Sequence, residues 1–228
     1  MPFENLLNFR DLGDGGHVQP RRLYRSESVA YLSDSDAARL VDDYGLATVV
    51  DLRGDKEVAR WGRGPLGDRQ VRYVHVPITD VTRGLGSMST YYVDMLTRRA
   101  DDVVGLLRRL LEPGALPAVV HCEAGCDRTG TVVAIVLGLV GVPDEGIIAD
   151  YELTEPALPA MNARWKAGFV ASGRAAENWV DETWAEREQA MAQTIAVVRE
   201  RWGGWAGWAT AHGFTDDERR QLRKLLVE

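Results

Sequence analysis

"LPAVVHCEAGCDRTG", residues 116–130, joins an apolar, β-branched run to a short polar loop, and the apolar run Val132 to Val142 follows almost at once. The first run reads as a strand. The second is too short to cross a bilayer, which needs roughly 20 residues, and reads as a buried helix beginning near Thr129. A loop between strand end and helix start curls its backbone N–H groups into a cradle, and the helix points its positive end into it. Such a cradle binds a tetrahedral oxyanion.

The elements upstream repeat the alternation. Residues 33–44, "SDSDAARLVDDY", carry Ser33 as an N-cap and Ala37, Leu40, Val41 and Tyr44 on one face before Gly45, which predicts an amphipathic helix. "LATVVDLR" (46–53) and "VRYVHVPI" (71–78) read as further strands. Apolar positions between 88 and 111 describe one or two helices, stopped by Pro113 and Gly114. Helix and strand in this order imply an α/β domain with a mainly parallel sheet, whose ligands gather at the carboxyl ends of the strands. Beyond Pro156 lie six of the seven tryptophans (Trp165, Trp179, Trp184, Trp202, Trp205 and Trp208), so 156–208 is expected either to pack on the core or to form a helical lid. A capping box from Thr215 to Glu218 opens a closing helix with Leu222, Leu225 and Leu226 on one face. One domain over 1–228 is expected.

A formal charge of -7 and a pI near 5.2 oppose general attraction to nucleic acid or anionic membranes, so any phosphate site has to be local. The only cysteines are Cys122 and Cys126, and no secretory leader is recognisable, from which a cytoplasmic setting is expected.

The loop's chemistry follows from its residue types. The field of the cradle favours the thiolate of a cysteine at its edge, the form that attacks phosphorus. Arg128, six residues on, can hold two phosphate oxygens in its planar fork. Thr129 is placed to donate to the sulfur, which eases departure of the thiolate when water attacks a phospho-cysteine. His121 is expected to orient backbone around Cys122. Phosphate contacts are expected from Glu123, Ala124, Gly125, Cys126, Asp127 and Arg128. Two aspartates compete as proton donor to the leaving oxygen: Asp80, past the second strand, which is favoured, and Asp127, which would otherwise orient Arg128. Arg10, Asp11, Arg25, Asp51, Arg53 and Glu57 are expected to form ion pairs that position the loops.

"HCEAGCDRTG" resembles the signature of the cysteine-dependent tyrosine and dual-specificity phosphatases. "NFRDLG" (8–13), "LYRSES" (23–28), "VVDLRGDKE" (49–57), "VHVPITD" (74–80) and "DYELT" (150–154) are similar to recurrent stretches of its bacterial branch of atypical tyrosine and lipid phosphatases. The resemblance implies a three-layer α/β/α fold with an added helical lid, no cofactor or metal, a phospho-cysteine intermediate, and a phosphorylated protein as substrate. A small phosphorylated metabolite is the alternative substrate, and a non-catalytic phospho-binding module the alternative function. That branch typically has lysine at position 126 and lysine or an aromatic at 123; Cys126 and Glu123 here make polyanionic headgroups a poorer fit. Cys126 reads either as a small neutral substitution or as a resolving thiol for oxidised Cys122.

Overall fold

The computed structural model of the chain describes residues 3–79 and 86–228. Among these, five strands form one sheet: β1 (Arg10–Asp11), β2 (Leu23–Ser26), β3 (Thr48–Asp51), β4 (Arg72–His75) and β5 (Ala118–His121), in the order β1-β2-β5-β3-β4. Four strands run parallel, and β1 closes the β2 edge antiparallel. β5 is the central strand, and Ala118, Val119 and Val120 are fully buried, as expected of a parallel strand covered on both faces. Its neighbours are in level register, since Ser26 and Asp51 both pair with His121. The segments leaving β2, β5 and β3 therefore emerge side by side at one end of the sheet.

Helices cover both faces, giving the expected three layers. On one side α1 (Asp34–Asp42) packs Ala37 and Leu40 with Phe3, Leu6, Tyr24 and Val49. Ser33 caps it, its Oγ accepting from the Asp36 N–H at 3.1 Å. A short helix, α2 (Asp55–Trp61), follows β3. The larger layer holds α3 (Met88–Arg98), α4 (Ala100–Leu111), α5 (Asp127–Val140), α6 (Asp144–Glu152), α8 (Ala190–Trp202), α9 (Trp205–Ala211) and α10 (Asp216–Leu226). The 88–111 run is thus two helices that meet at Arg99, and α5 starts two residues before the expected Thr129. The Thr215–Glu218 capping box opens α10 as expected.

The tryptophan-rich stretch divides between its two readings. Trp205 and Trp208 are core residues: Gly138 of α5 leaves room for the Trp205 ring, and the Trp208 indole N–H donates to the Leu96 carbonyl at 2.9 Å. In contrast α7 (Leu158–Ala171) and the irregular segment up to Gln189 lie over the carboxyl end of the sheet. Asn162 ties the two together, exchanging hydrogen bonds with the Glu182 backbone at 2.8 and 3.0 Å. No helix among the described residues is long and apolar enough to cross a membrane.

Candidate active site

Cys122 leaves β5, and the loop turns back into α5 at Asp127. Gly125 makes the turn possible, at φ 66° and with its α-carbon so close to β2 that a Cβ would lie 2.1 Å from the Ser26 carbonyl oxygen. The loop's carbonyls are drawn outward by donors from the scaffold. The Ser28 N–H donates to Glu123 O at 2.9 Å, Asn8 Nδ2 to Ala124 O and Gly125 O at 3.0 and 3.1 Å, and Arg25 Nη2 to Gly125 O at 2.7 Å. A trans peptide places each N–H opposite the preceding carbonyl, so the N–H groups of Ala124, Gly125 and Cys126 turn inward. That is the cradle the spacing predicts.

Ion pairs hold the donors in place, as expected for Arg10, Arg25, Asp51, Arg53 and Glu57. Asp150 of α6 bridges Arg25 at 2.5 Å and Arg10 at 2.8 Å. Burial works against its carboxylate, but the two guanidinium groups outweigh burial and keep it below the usual range. Asp11 instead accepts from the backbone N–H groups of Gly13 and Arg21 and caps a turn. Asp51 is fully buried; burial raises its pKa, but His121 and Arg53 more than offset that and bring it to about 2. His121 is within 3.1 Å of the Cys122 carbonyl through Nδ1, and since a carbonyl only accepts, Nδ1 carries the proton. Burial pushes the His121 pKa down, and this ring orients backbone as its position suggests.

Arg128 points back toward α2, where Glu57 accepts from Nη1 at 2.6 Å and from Nη2 at 2.8 Å. Burial opposes the charge of Arg128, and its hydrogen bonds to Glu57 together with the nearby Cys122 overcome it and raise its pKa. Two of the five guanidinium N–H donors are spent on Glu57, which fixes the plane in which the others are offered. Glu57, rather than Asp127, is therefore the partner that sets the Arg128 fork.

Asp127 is held from the other side. Arg187, 3% exposed, donates from Nε to Oδ1 at 3.0 Å and from Nη2 to Oδ2 at 3.2 Å, and Tyr92 donates to Oδ1 at 2.7 Å. Tyr92 has one proton and gives it to the carboxylate, so Tyr151, 2.6 Å away, donates to Tyr92. Thr129 is fully buried, and its Oγ1 has no hydrogen-bond partner among the described residues. Cys126 is free and buried, and burial followed by the charge of Asp127 raises its thiol pKa well above the ordinary value. Asp80 lies outside the described residues. Thr79, immediately before it, lines the site.

A cavity of about 560 Å³ opens over the loop, lined by Cys122, Glu123, Ala124, Asp127 and Arg128 on its floor and by Tyr91, Trp165, Trp179 and Arg187 on its walls. A thiol at the foot of inward N–H groups, flanked by a locked guanidinium and walled with aromatics, can hold a tetrahedral oxyanion against a sulfur. Comparison with known proteins agrees with the geometry. The model of the family described as "Tyrosine phosphatase family" matches residues 1–228, and the chain belongs to that family of phosphoric monoester hydrolases. It is similar to the Triple specificity protein phosphatase PtpB of Mycobacterium tuberculosis, 31% identical over 193 residues that make up 69% of this chain and 70% of that protein. It is also similar to a tyrosine-protein phosphatase of Nostoc commune, 24% identical over 89% of this chain and 73% of that one. Among solved structures, the core catalytic domain of the PP-IP phosphatase SIW14 from S. cerevisiae aligns with a TM-score of 0.44 at 17% identity, over 86% of this chain and 96% of that one.

Four contributors escape the sequence reading: Asn8, Asp150, Tyr92 and Arg187. Asn8 has a positive φ of 58°, a conformation asparagine tolerates better than most residues, and it opens the stretch "NFRDLG", which carried no role for it in the sequence. Nothing near Arg187 in the chain distinguishes it from its exposed, charged neighbours.

Proposed function

We propose that the chain hydrolyses phosphotyrosine in proteins or peptides through a phospho-cysteine on Cys122. The observation that carries this reading is the loop with its carbonyls turned out and its N–H groups turned in, directly beside Cys122 and the Glu57-locked Arg128. The aromatic walls suit a flat aryl phosphate, and the names of the relatives support a protein substrate. In the first half-reaction the Cys122 thiolate attacks phosphorus, the bond from phosphorus to the tyrosine oxygen breaks, and that oxygen takes a proton from Asp80. In the second, water attacks phosphorus and gives its proton to the Asp80 carboxylate. The sulfur–phosphorus bond breaks, and inorganic phosphate leaves with the thiolate restored. Arg128 and the N–H groups of the loop bind the equatorial oxygens, where their charge is most effective in the transition state. Thr129 stabilises the departing thiolate. The two free cysteines are in keeping with a cytoplasmic setting.

Asp80 is assigned the proton because the carboxylate of Asp127 spends its acceptors on Arg187 and Tyr92, which stabilise the ionised form and make it a poor donor. In this reading Asp127 fastens the lid segment to the loop. The test compares pH–rate profiles of Asp80→Asn and Asp127→Asn on phenyl phosphate, whose leaving group needs a proton. Asp80→Asn should lower kcat by roughly 10²- to 10⁴-fold and erase the alkaline limb. If Asp127→Asn does so instead, the acid is Asp127.

A further inference from the structure

A second cavity, of about 250 Å³, adjoins the catalytic one, and Glu123, Trp165 and Trp179 line both. This second cavity is lined by Arg60 and Trp61 of α2, by Arg164 and Phe169 of α7, by Arg174 just beyond α7, and by Tyr31. Three guanidinium groups thus face one carboxylate, a local excess of positive charge in a chain whose formal charge is -7. Arg164 is already committed to the buried Glu27. Arg60 and Arg174 have no carboxylate partner among the described residues. Each lies over an aromatic ring, Arg60 over Trp61 at 4.7 Å and Arg174 over Phe169 at 3.9 Å. Arg174 Nε donates to Ser172 Oγ at 3.0 Å, which leaves its terminal N–H groups to face the pocket. Stacking on an aromatic face leaves such in-plane donors available, so less side-chain entropy is lost when an anion binds.

We infer that this pocket is a specificity subsite that takes the carboxylate of an acidic side chain carried by the phosphopeptide next to its phosphotyrosine. The inference rests on the phosphotyrosine-peptide reading of the catalytic cavity and extends it to the neighbouring residue. A carboxylate is favoured over a second phosphate for a specific reason. Glu123 stands in the partition, with Oε1 accepting from Tyr31 at 2.5 Å and the buried Oε2 unpartnered among the described residues. It therefore repels a dianion more than a monoanion. The pocket's aromatic walls also suit the methylenes of a glutamate side chain.

The test measures kcat/KM for a set of phosphotyrosine peptides flanked on both sides by Glu, Ala, Lys or phosphoserine, with p-nitrophenyl phosphate as a substrate that cannot reach the subsite. The enzymes are wild type, Arg60→Ala/Arg174→Ala and Arg60→Glu/Arg174→Glu. Wild type should prefer Glu-flanked over Ala-flanked peptide by roughly threefold to tenfold, the scale of two exposed charge pairs. The alanine pair should abolish that preference, the glutamate pair should turn it toward Lys, and turnover of p-nitrophenyl phosphate should stay within about twofold throughout. The subsite is overturned if wild type hydrolyses all peptides alike or if the alanine pair keeps the acidic preference. A phosphoserine-flanked peptide outrunning the Glu-flanked one would likewise overturn it, by making the ligand a second phosphate. Failure to hydrolyse any phosphotyrosine peptide while p-nitrophenyl phosphate turns over would remove the peptide reading itself, and the subsite with it.

Discussion

At the scale of single residues, the site depends on where backbone carbonyls point as much as on the reactive side chains. Gly125 is the tightest point: at φ 66° a side chain is strained, and a Cβ would collide with the Ser26 carbonyl at 2.1 Å. Gly125→Ala should therefore push the loop away from β2, lowering kcat/KM toward p-nitrophenyl phosphate by about 10²-fold or more and lowering Tm. Unchanged activity in that variant would show that the loop's close seat on β2 is not what forms the cradle. The loop itself was legible, because Cys122, Gly125, Arg128 and Thr129, the residues to which the chemistry is assigned in the proposed function, are neighbours in one short stretch. Their partners were not. Asp150 meets Arg10 and Arg25 across more than a hundred residues, and Arg187 reaches Asp127 from a segment with no periodic pattern. An ion pair between distant chain segments leaves no local trace in sequence.

Among the secondary-structure elements, the capped helices and the β-branched strands were readable, and β2 was not. "LYRS" places a charged Arg25 in a strand that is buried throughout, and only Asp150 and the Gly125 carbonyl make that burial tolerable. β2 also leads directly to Glu27, which meets α7. There Leu7 N–H donates to Glu27 Oε1 at 2.6 Å, and Arg164 of α7 pairs with the same oxygen. Burial dominates over both partners and raises the Glu27 pKa from 4.5 to about 7. The folded protein thus holds this proton more tightly than the unfolded chain. The associated stabilisation is complete below pH 4.5 and is lost as pH rises through about 7. Glu27→Gln cannot titrate, so the unfolding free energy of wild type minus that of the variant should fall by about 3 kcal/mol between pH 4.5 and pH 8, as read by urea titration at each pH. A difference that stays level across this range would mean that Glu27 is ionised throughout. The fate of the tryptophan-rich stretch was ambiguous for a related reason: an aromatic stripe reports burial without saying what it is buried against. Trp205 and Trp208 are buried in the core, while Trp165 and Trp179 wall the cavity.

Taken whole, the molecule is an acidic protein with a local concentration of arginine at one end of its sheet. The level register of β2, β5 and β3 delivers Glu27, Cys122 and Arg53 to that end, and α2 and α7 add the walls. The three-layer α/β/α architecture with a mainly parallel sheet follows from alternation that the sequence displays openly, and family membership agrees with the signature loop. What the alternation could not convey is which side of the sheet end each later helix covers, since that is decided by pairs such as Arg164 with Glu27 and Arg187 with Asp127. In the proposed reaction phosphate passes covalently through the sulfur of Cys122. The most direct measurement is to quench the enzyme with acid during turnover of a phosphotyrosine peptide, digest it, and look by mass spectrometry for a phosphoryl group on the peptide that contains Cys122. Wild type should carry that group, with no turnover and no labelled peptide in Cys122→Ser; turnover retained by Cys122→Ser would contradict the phospho-cysteine route.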